Sequence, residues 1–153
     1  DLSLITVDGR GMQGVPGIAG RVFSAVAESG TSILMITQSS SEQSICFAVR
    51  TSDVPGVIKH LEQELELETL RGDVDNVSSQ GRVAIIAVVG SAMRGRPGIA
   101  VRVFEALANL EINVISIAQG SSEFNLSLVV AQDDVDRGVR SIHEQFGLGE
   151  AEG

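Results

Sequence analysis

An α+β fold built from two successive β-α-β-β-α-β units, each an antiparallel sheet backed by two helices, is what this sequence predicts. Two observations lead there. The first is a repeat. GMQGVPGIAGRVFSAVA opens at Gly11 and AMRGRPGIAVRVFEALA opens at Ala92, an offset of 81 residues that also carries ITQSSSE (36–42) onto IAQGSSE (117–123). Between Gly11 and Val49 no gap is needed, and 17 of those 39 positions are identical to their counterparts, so the two halves are copies of one unit. The second is periodicity. Within each copy the apolar spacing changes from 2 to 3.6 and back, in the order of the ferredoxin-like pattern. A chain of 153 residues accommodates two such small domains.

The elements follow in order. Leu2 to Val7 (LSLITV) is apolar and β-branched and reads as a strand. DGRGMQGV is a glycine-rich turn. Pro16 suits a first helical position, where its missing N–H costs nothing. Ile18, Val22, Val26 and Ser29 then keep helical spacing, giving a helix over 16–29 with Gly30 as its stop. Ser32 to Thr37 is a second strand. QSSSEQ is a polar turn, and Ile45, Phe47 and Val49 alternate on a third strand. Val54, Val57, Ile58, Leu61 and Leu65 define a second helix starting near Asp53, and Thr69 to Val77 reads as a polar fourth strand.

The second copy gives a strand at Val83–Val89 and a helix at Pro97–Leu110, with Ile99, Val103, Leu107 and Leu110 inward. Strands at Asn113–Ala118 and Asn125–Val130 precede a helix over Asp134–Phe146, whose inner face is Val135, Val139, Ile142 and Phe146. GLGEAEG cannot form a good fourth strand, so the second unit reads as one strand short. The expected domains are therefore 1–78 and 82–147, with 72–81 as a polar linker and 148–153 as a tail. The missing strand is expected from upstream of residue 1.

Composition removes several functions. The net charge is −9, which opposes phosphate neutralisation and anionic membrane surfaces. The only aromatic residues are five phenylalanines, so base-stacking platforms are poorly supplied. Cys46 is the single cysteine and reads as a small core residue, with no disulfide or CxxC zinc site possible within one chain. Asp1 begins an acidic strand rather than a basic leader, and no apolar run reaches the roughly 20 residues of a membrane helix. A cytoplasmic location fits.

The chemistry lies in the repeated motif. Gly14-Val-Pro-Gly-Ile-Ala and Gly95-Arg-Pro-Gly-Ile-Ala each put a glycine-rich turn at a helix N-terminus, where free N–H groups and the helix dipole favour an anion. Neither turn has a Walker A lysine or a GxGxxG pattern, so a carboxylate suits better than a phosphate. Gln38 and Gln119 each end a second strand, and an amide that both donates and accepts can read a hydroxyl or an amine. The bland alternative is that these amides cap strand ends or bond the serine turn. Met12 and Met93 pack over the turn or lid the pocket. Glu42 and Glu123 read as turn residues rather than catalytic carboxylates, His60 and His143 as surface positions without a metal constellation. Ser39, Ser40, Ser41, Ser121 and Ser122 have no histidine at matched spacing, so nucleophilic catalysis is unsupported.

GxxGxxGIAxRVFxALA followed by ITQSSSE and IAQGSSE resembles the tandem ACT domains of aspartate kinases, over about residues 2–146. The resemblance implies feedback inhibition by an end product of the aspartate pathway, bound between ACT units. One effector site would use Met12, Gly14, Val15, Gly17, Ile18, Ala19 and Gln38, closed by Asn113 and Val114. The pseudo-symmetric site would use Met93, Gly95, Arg96, Gly98, Ile99, Ala100 and Gln119, closed by Ser32 and Ile33. Arg96 stands where the first copy has Val15, so the two sites need not be equivalent. Threonine is the first expectation, because the two glutamines match those that read it in the family. Lysine, alone or with threonine, is the second, since its ammonium wants an acidic residue where Leu34 and Ile115 stand. The resemblance further implies no catalytic residue, cofactor or metal in this region. The parent kinase would use ATP and Mg, its kinase domain would lie on the same full-length chain, and the ACT units would form a homodimer. The same family completes one ACT unit with a segment from ahead of the first repeat, which agrees with the missing strand. Rival readings are a small phosphatase on the same fold, a free-standing sensor of another amino acid, and a ligand-free dimerisation module.

Overall fold

Strands β1 (Leu2–Asp8) and β3 (Ser44–Arg50) pair antiparallel, from Leu2↔Arg50 to Asp8↔Ser44. Side chains alternate along a strand, so this register puts Ile5, Val7, Ile45, Phe47 and Val49 on one face, all fully buried. In this computed structural model, which describes residues 1–38, 43–90, 98–119 and 125–148, two helices cover that face. They are α1 (Ile18–Glu28) and α2 (Val54–Glu64), contributing Ile18, Val22, Val26, Val57 and Leu61. The Phe23 ring meets Phe47 edge-on at 6.2 Å. Each such buried side chain stabilises the unit by about 1.5–3 kcal/mol. β2 (Met35–Gln38) pairs antiparallel with β3, from Met35↔Ala48 to Gln38↔Ile45. On the other side β1 neighbours β4 (Asn76–Val89), so the order across the first unit is β2-β3-β1-β4. The Asp75 N–H donates to the Asp8 carbonyl at 2.8 Å, while Gly81 lies beside Ser3, so the two strands run in opposite directions.

The chain divides into two units, Asp1–Gly81 and Arg82–Gly153. The second repeats the registers of the first. Val83↔Ala131 and Val89↔Asn125 bound the pairing of β4 with β6 (Asn125–Ala131), and Ser116↔Val129 opens that of β5 (Ser116–Gln119) with β6. Each is the first-unit register moved by 81. Helices α4 (Ile99–Ala108) and α5 (Val135–Phe146) bury Val103, Leu107 and Ile142 over Ile86, Leu126, Leu128 and Val130. Among the described residues no helix is long and apolar enough to cross a membrane.

Several expectations need correction. The fourth strand expected over 69–77 starts only at Asn76, as the opening of β4: Glu66–Arg71 form helix α3, ended by Gly72 in the left-handed conformation at φ 78. ELETLR consists mainly of helix formers, with a glycine at the stop position. The supposed linker 72–81 is structured as well, since Asn76–Gly81 open the 14-residue β4. The first helix begins at Ile18, two residues after Pro16, because Gly17 takes φ 88 and stands outside the helix. Cys46 is half-buried, not a core residue. With Ile45 and Phe47 inward, alternation sends Cys46 to the opposite face, its Sγ 2.9 Å from Thr6 Oγ1. Burial still pushes the thiol's pKa up, the Thr6 hydrogen bond opposing it. Leu110 is exposed past the end of α4, and Ile112 takes the core position instead.

One ion cluster ties the helices of the first unit together. The Arg21 guanidinium on α1 donates from Nε to Glu64 Oε1 at 2.7 Å, and from its other nitrogens to the Glu64 carbonyl and the buried carboxylate of Glu68 on α3. Burial pushes the Glu68 carboxyl up, but the Arg21 hydrogen bond, backbone donation and the Arg21 and Arg71 charges outweigh it and hold the pKa below the ordinary glutamate value. A carboxyl depressed in the folded state stabilises fully above its unfolded pKa, and that contribution is lost as pH falls through the folded value. Glu68→Gln is therefore expected to cost about 1.5–3 kcal/mol at pH 7. In urea titrations the difference from the parent should shrink below about pH 4.3, the ordinary glutamate value. A constant difference from pH 7 to pH 3 would show that the charge is not what matters.

A second expectation concerns Glu111, which holds φ 56 where the first unit has Gly30 at φ 75. A side chain in that region is strained. Glu111→Gly should raise stability by about 1 kcal/mol, read as a higher urea midpoint with an unchanged slope.

Candidate functional site

The turn between β1 and α1 is built by close approach. A Cβ on Gly9 would lie 2.1 Å from the Asp73 carbonyl oxygen, and one on Gly11 would lie 2.6 Å from Asp73 Cα. Only glycine lets the turn lie against the segment that follows α3. The chain then passes through a 3-10 turn at Arg10–Met12, where Met12 N–H donates to Gly9 at 3.1 Å and Val15 N–H donates to Met12 at 3.2 Å. At Gly17, φ 88 redirects the backbone into α1 with no side chain capping the helix.

The first intrahelical bond runs from Arg21 N–H to the Gly17 carbonyl at 3.0 Å. The N–H groups of Ile18, Ala19 and Gly20 come before it and have no carbonyl one turn back. Beside this helix start lies a cleft of about 350 Å³ lined by Met12, Gly14, Val15, Pro16, Gly17, Ile18, Ala19 and Ile45. Its floor is apolar, since Met12, Ile18 and Ile45 are all buried. The positive end of a helix above an apolar floor suits a small zwitterion, whose carboxylate meets the N–H groups while its side chain meets Met12 and Ile45.

Six of the expected first-site residues thus converge: Met12, Gly14, Val15, Gly17, Ile18 and Ala19. Gln38 ends β2, paired with Ile45 of the cleft. Asn113 and Val114 lie in the second unit ahead of β5, Asn113 exposed and Val114 packed against that unit's own core. Ser32 and Ile33 occupy the matching place in the first unit, with Ile33 against the first core. The side chains of Ile33 and Val114 are thus occupied within their own units. In the second copy Gly98 repeats the left-handed, uncapped start at φ 92, ahead of Ile99 and Ala100, and Gln119 is exposed at the end of β5. Met93, Gly95 and Arg96 lie outside the described residues, as do Glu42, Glu123 and the serines between 39 and 41 and at 121–122. The His60 Nδ1 lies 2.8 Å from the Gly56 carbonyl on its own helix, and no three potential metal ligands converge among the described residues.

Ile45 was missed by the sequence reading. The available signal was its place as the first inward residue of β3, opposite Val7, the last inward residue of β1. Exposed apolar side chains lie on or just ahead of the edge strands near their glutamines: Leu34 and Ile36 in the first unit and Ile117 in the second.

Two copies of one α+β unit, each with an uncapped helix start after a left-handed glycine and the same strand registers, define a class of tandem ferredoxin-like domain. The family model of the ACT domain matches residues 5–65 and again 86–146, and the chain belongs to that family. It is 42% identical over 148 residues, 97% of its length, to the chloroplastic bifunctional aspartokinase/homoserine dehydrogenase of Daucus carota, and spans 16% of that protein. The ligand-free regulatory subunit of aspartate kinase from Thermus thermophilus matches at a TM-score of 0.79 and 26% identity, covering 95% of this chain and 93% of that one. Aspartate kinase from Synechocystis matches at a TM-score of 0.82 and 29% identity, covering 100% of this chain and 26% of that one. The chain is therefore similar to the regulatory region of aspartokinases and spans about a sixth of the length of the bifunctional relative.

The two glycine types in the turn should be separable by mutation. Gly17→Ala strains one φ angle and should cost about 1 kcal/mol. Gly9→Ala drives a methyl into the Asp73 backbone and should cost about 3 kcal/mol or more, because backbone must move. Equal urea midpoints for the two variants would contradict the close-approach reading.

Proposed function

We propose that this region is the amino-acid-binding regulatory module of an aspartate kinase and that its effector is L-threonine. The observation that carries the reading is the uncapped start of α1 above the apolar floor of Met12, Ile18 and Ile45, repeated in sequence at Gly98–Ala100. The effector's carboxylate meets the helix N–H groups. Its methyl meets the floor, and its hydroxyl exchanges hydrogen bonds with the amide of Gln38 or Gln119. Asn113 and Val114 close the first site and Ser32 and Ile33 the second, each from a neighbouring ACT unit. Lysine would leave its ammonium against Leu34 or Ile115, neither of which can answer a charge.

Regulation follows as a population shift. Threonine binds one arrangement of ACT units better and so favours an inactive state of the kinase domain on the same full-length chain. That parent protein phosphorylates L-aspartate with ATP and Mg, assembles as a homodimer through its ACT units, and works in the cytoplasm, although the carrot relative is chloroplastic.

Calorimetric titration of the chain with L-threonine, L-lysine and L-methionine tests this. Threonine alone should bind saturably, and Gln38→Ala or Gln119→Ala should weaken it about tenfold or more, roughly 1.4 kcal/mol. Saturable lysine binding would keep the regulatory role and remove the argument from the glutamines. Silence with all three would favour a ligand-free assembly module.

A further inference from the structure

In the first unit, two chains of contacts run from Glu68 to the two walls of the cleft. The side chain reaches α1. Glu68 Oε1 accepts from the Arg21 guanidinium, and the N–H of that same arginine makes the first bond of the helix, to the Gly17 carbonyl. The main chain reaches the glycine turn. Gly72 reverses the backbone after α3, and the N–H groups of Asp73 and Val74 both donate to the Glu68 carbonyl, at 2.8 and 3.2 Å. Asp73, held in this way, is the backbone against which Gly9 and Gly11 lie. Two residues on, Asp75 N–H donates to the Asp8 carbonyl at 2.8 Å, and Asp75 Oδ2 accepts from Arg10 N–H at 3.2 Å. The link resists displacement. Glu68 is 7% exposed and its Oε2 has no hydrogen-bond partner among the described residues, so moving Arg21 away would leave a buried carboxylate uncompensated. Arg21 is held from the other side by the Glu64 carboxylate and carbonyl at the end of α2.

We propose that Glu68 is a positioning residue of the effector cleft: acting through Arg21 and Asp73, it sets the distance between the glycine turn and the start of α1. The proposal rests on the reading above that this cleft takes an amino acid. Met12, Gly14 and Val15 line the cleft from the turn, and Ile18 and Ala19 line it from the helix start. A ligand that touches both walls is held according to their separation, and a site of this kind tolerates an error of only about 0.5 Å. Neither Glu68 nor Arg21 lines the cleft. Their effect on affinity is therefore one of geometry, with no contact to the ligand.

Residue-resolved hydrogen exchange on the intact chain, paired with calorimetric titration of L-threonine, tests the proposal. Glu68→Gln keeps the shape and removes the charge that grips Arg21. It should speed exchange of the Met12, Arg21 and Asp75 amides, which report on the turn, the helix start and the tie between turn and α3, by about tenfold. L-threonine should bind this variant about tenfold more weakly, a loss that instability alone does not cause in a folded sample. Arg21→Lys should act in the same direction, because one ammonium cannot replace a fork that spans Glu64 and Glu68. The double variant should stay within about twofold of Arg21→Lys, since both changes break one link. Val49→Ala truncates the core at the other end of β3 and lowers global stability without touching the link. It should leave the three amides and the affinity within about twofold of the parent. Parent-like exchange in Glu68→Gln, or equal acceleration by Val49→Ala, would overturn the proposal. So would parent-like threonine affinity in Glu68→Gln. If the parent binds no amino acid, the effector reading falls by itself, and the exchange comparison still decides whether Glu68 sets the cleft.

Discussion

The pairing of β1 with β3 is the constraint on which everything else rests. Seven residues of each strand lie in one antiparallel register, and that register alone places Ile5, Val7, Ile45, Phe47 and Val49 under the two helices. A slip of one residue would send all five to the other face. The same pairing sets Val7 beside Ile45 at the end of the sheet where the glycine turn emerges. The floor of the cleft and the start of α1 are thus fixed by the core. A binding site on a turn needs this rigid footing, because the N–H groups of Ile18, Ala19 and Gly20 can share one anion only if the helix start holds still.

The second unit solves the same problem with the same registers, but its interior differs around Arg102. Arg21 has two glutamates and Arg102 has a backbone carbonyl and an aromatic face. In the first unit the cation is neutralised beneath α3. In the second it lines an open apolar groove. A duplicated fold need not have duplicated energetics: the closing segment that buries Val74 and Glu68 contributes to the first unit and has no described counterpart in the second.

Much of this was legible in the sequence, and the reasons are specific. The repeat gave the number of units and placed both first helices to within two residues, because Pro-Gly-Ile-Ala recurs at 16–19 and 97–100 while the left-handed glycines at 17 and 98 delay each start. Alternation at 45, 47 and 49 gave the third strand and its inward face. The segment 69–81 was misread because two rules competed. The topology demanded a fourth strand soon after α2, whereas Glu66–Arg71 carry helix propensity with a glycine stop. Asn76–Gly81 looked like a linker because a strand can be polar when only part of it is covered, and Val77 alone of its apolar residues packs on the first core. Of the candidate site, the glycine turn was readable and Ile45 was not, since its role comes from cross-strand register. Gln38 and Gln119 were singled out by repetition, a property of sequence that says nothing of what their amides touch.

A carboxylate grip at a helix start is common to every amino acid, and on an exposed helix such a charge is worth only about 0.3–1 kcal/mol. The cleft of the first unit therefore cannot by itself tell threonine from its neighbours. Discrimination needs a polar group that reads the side chain and a wall that excludes water from it, because an unread hydroxyl costs little while water can replace the missing partner. The exposed apolar residues on or just ahead of the edge strands, Leu34, Ile36 and Ile117, are where such a wall can form. On the proposed reading, one unit supplies half a site and a neighbouring unit the rest. Selectivity and regulation then share one origin. An effector is bound well only when the second half is in place, so the energy that distinguishes threonine from other amino acids is the same energy that favours one arrangement of units over another.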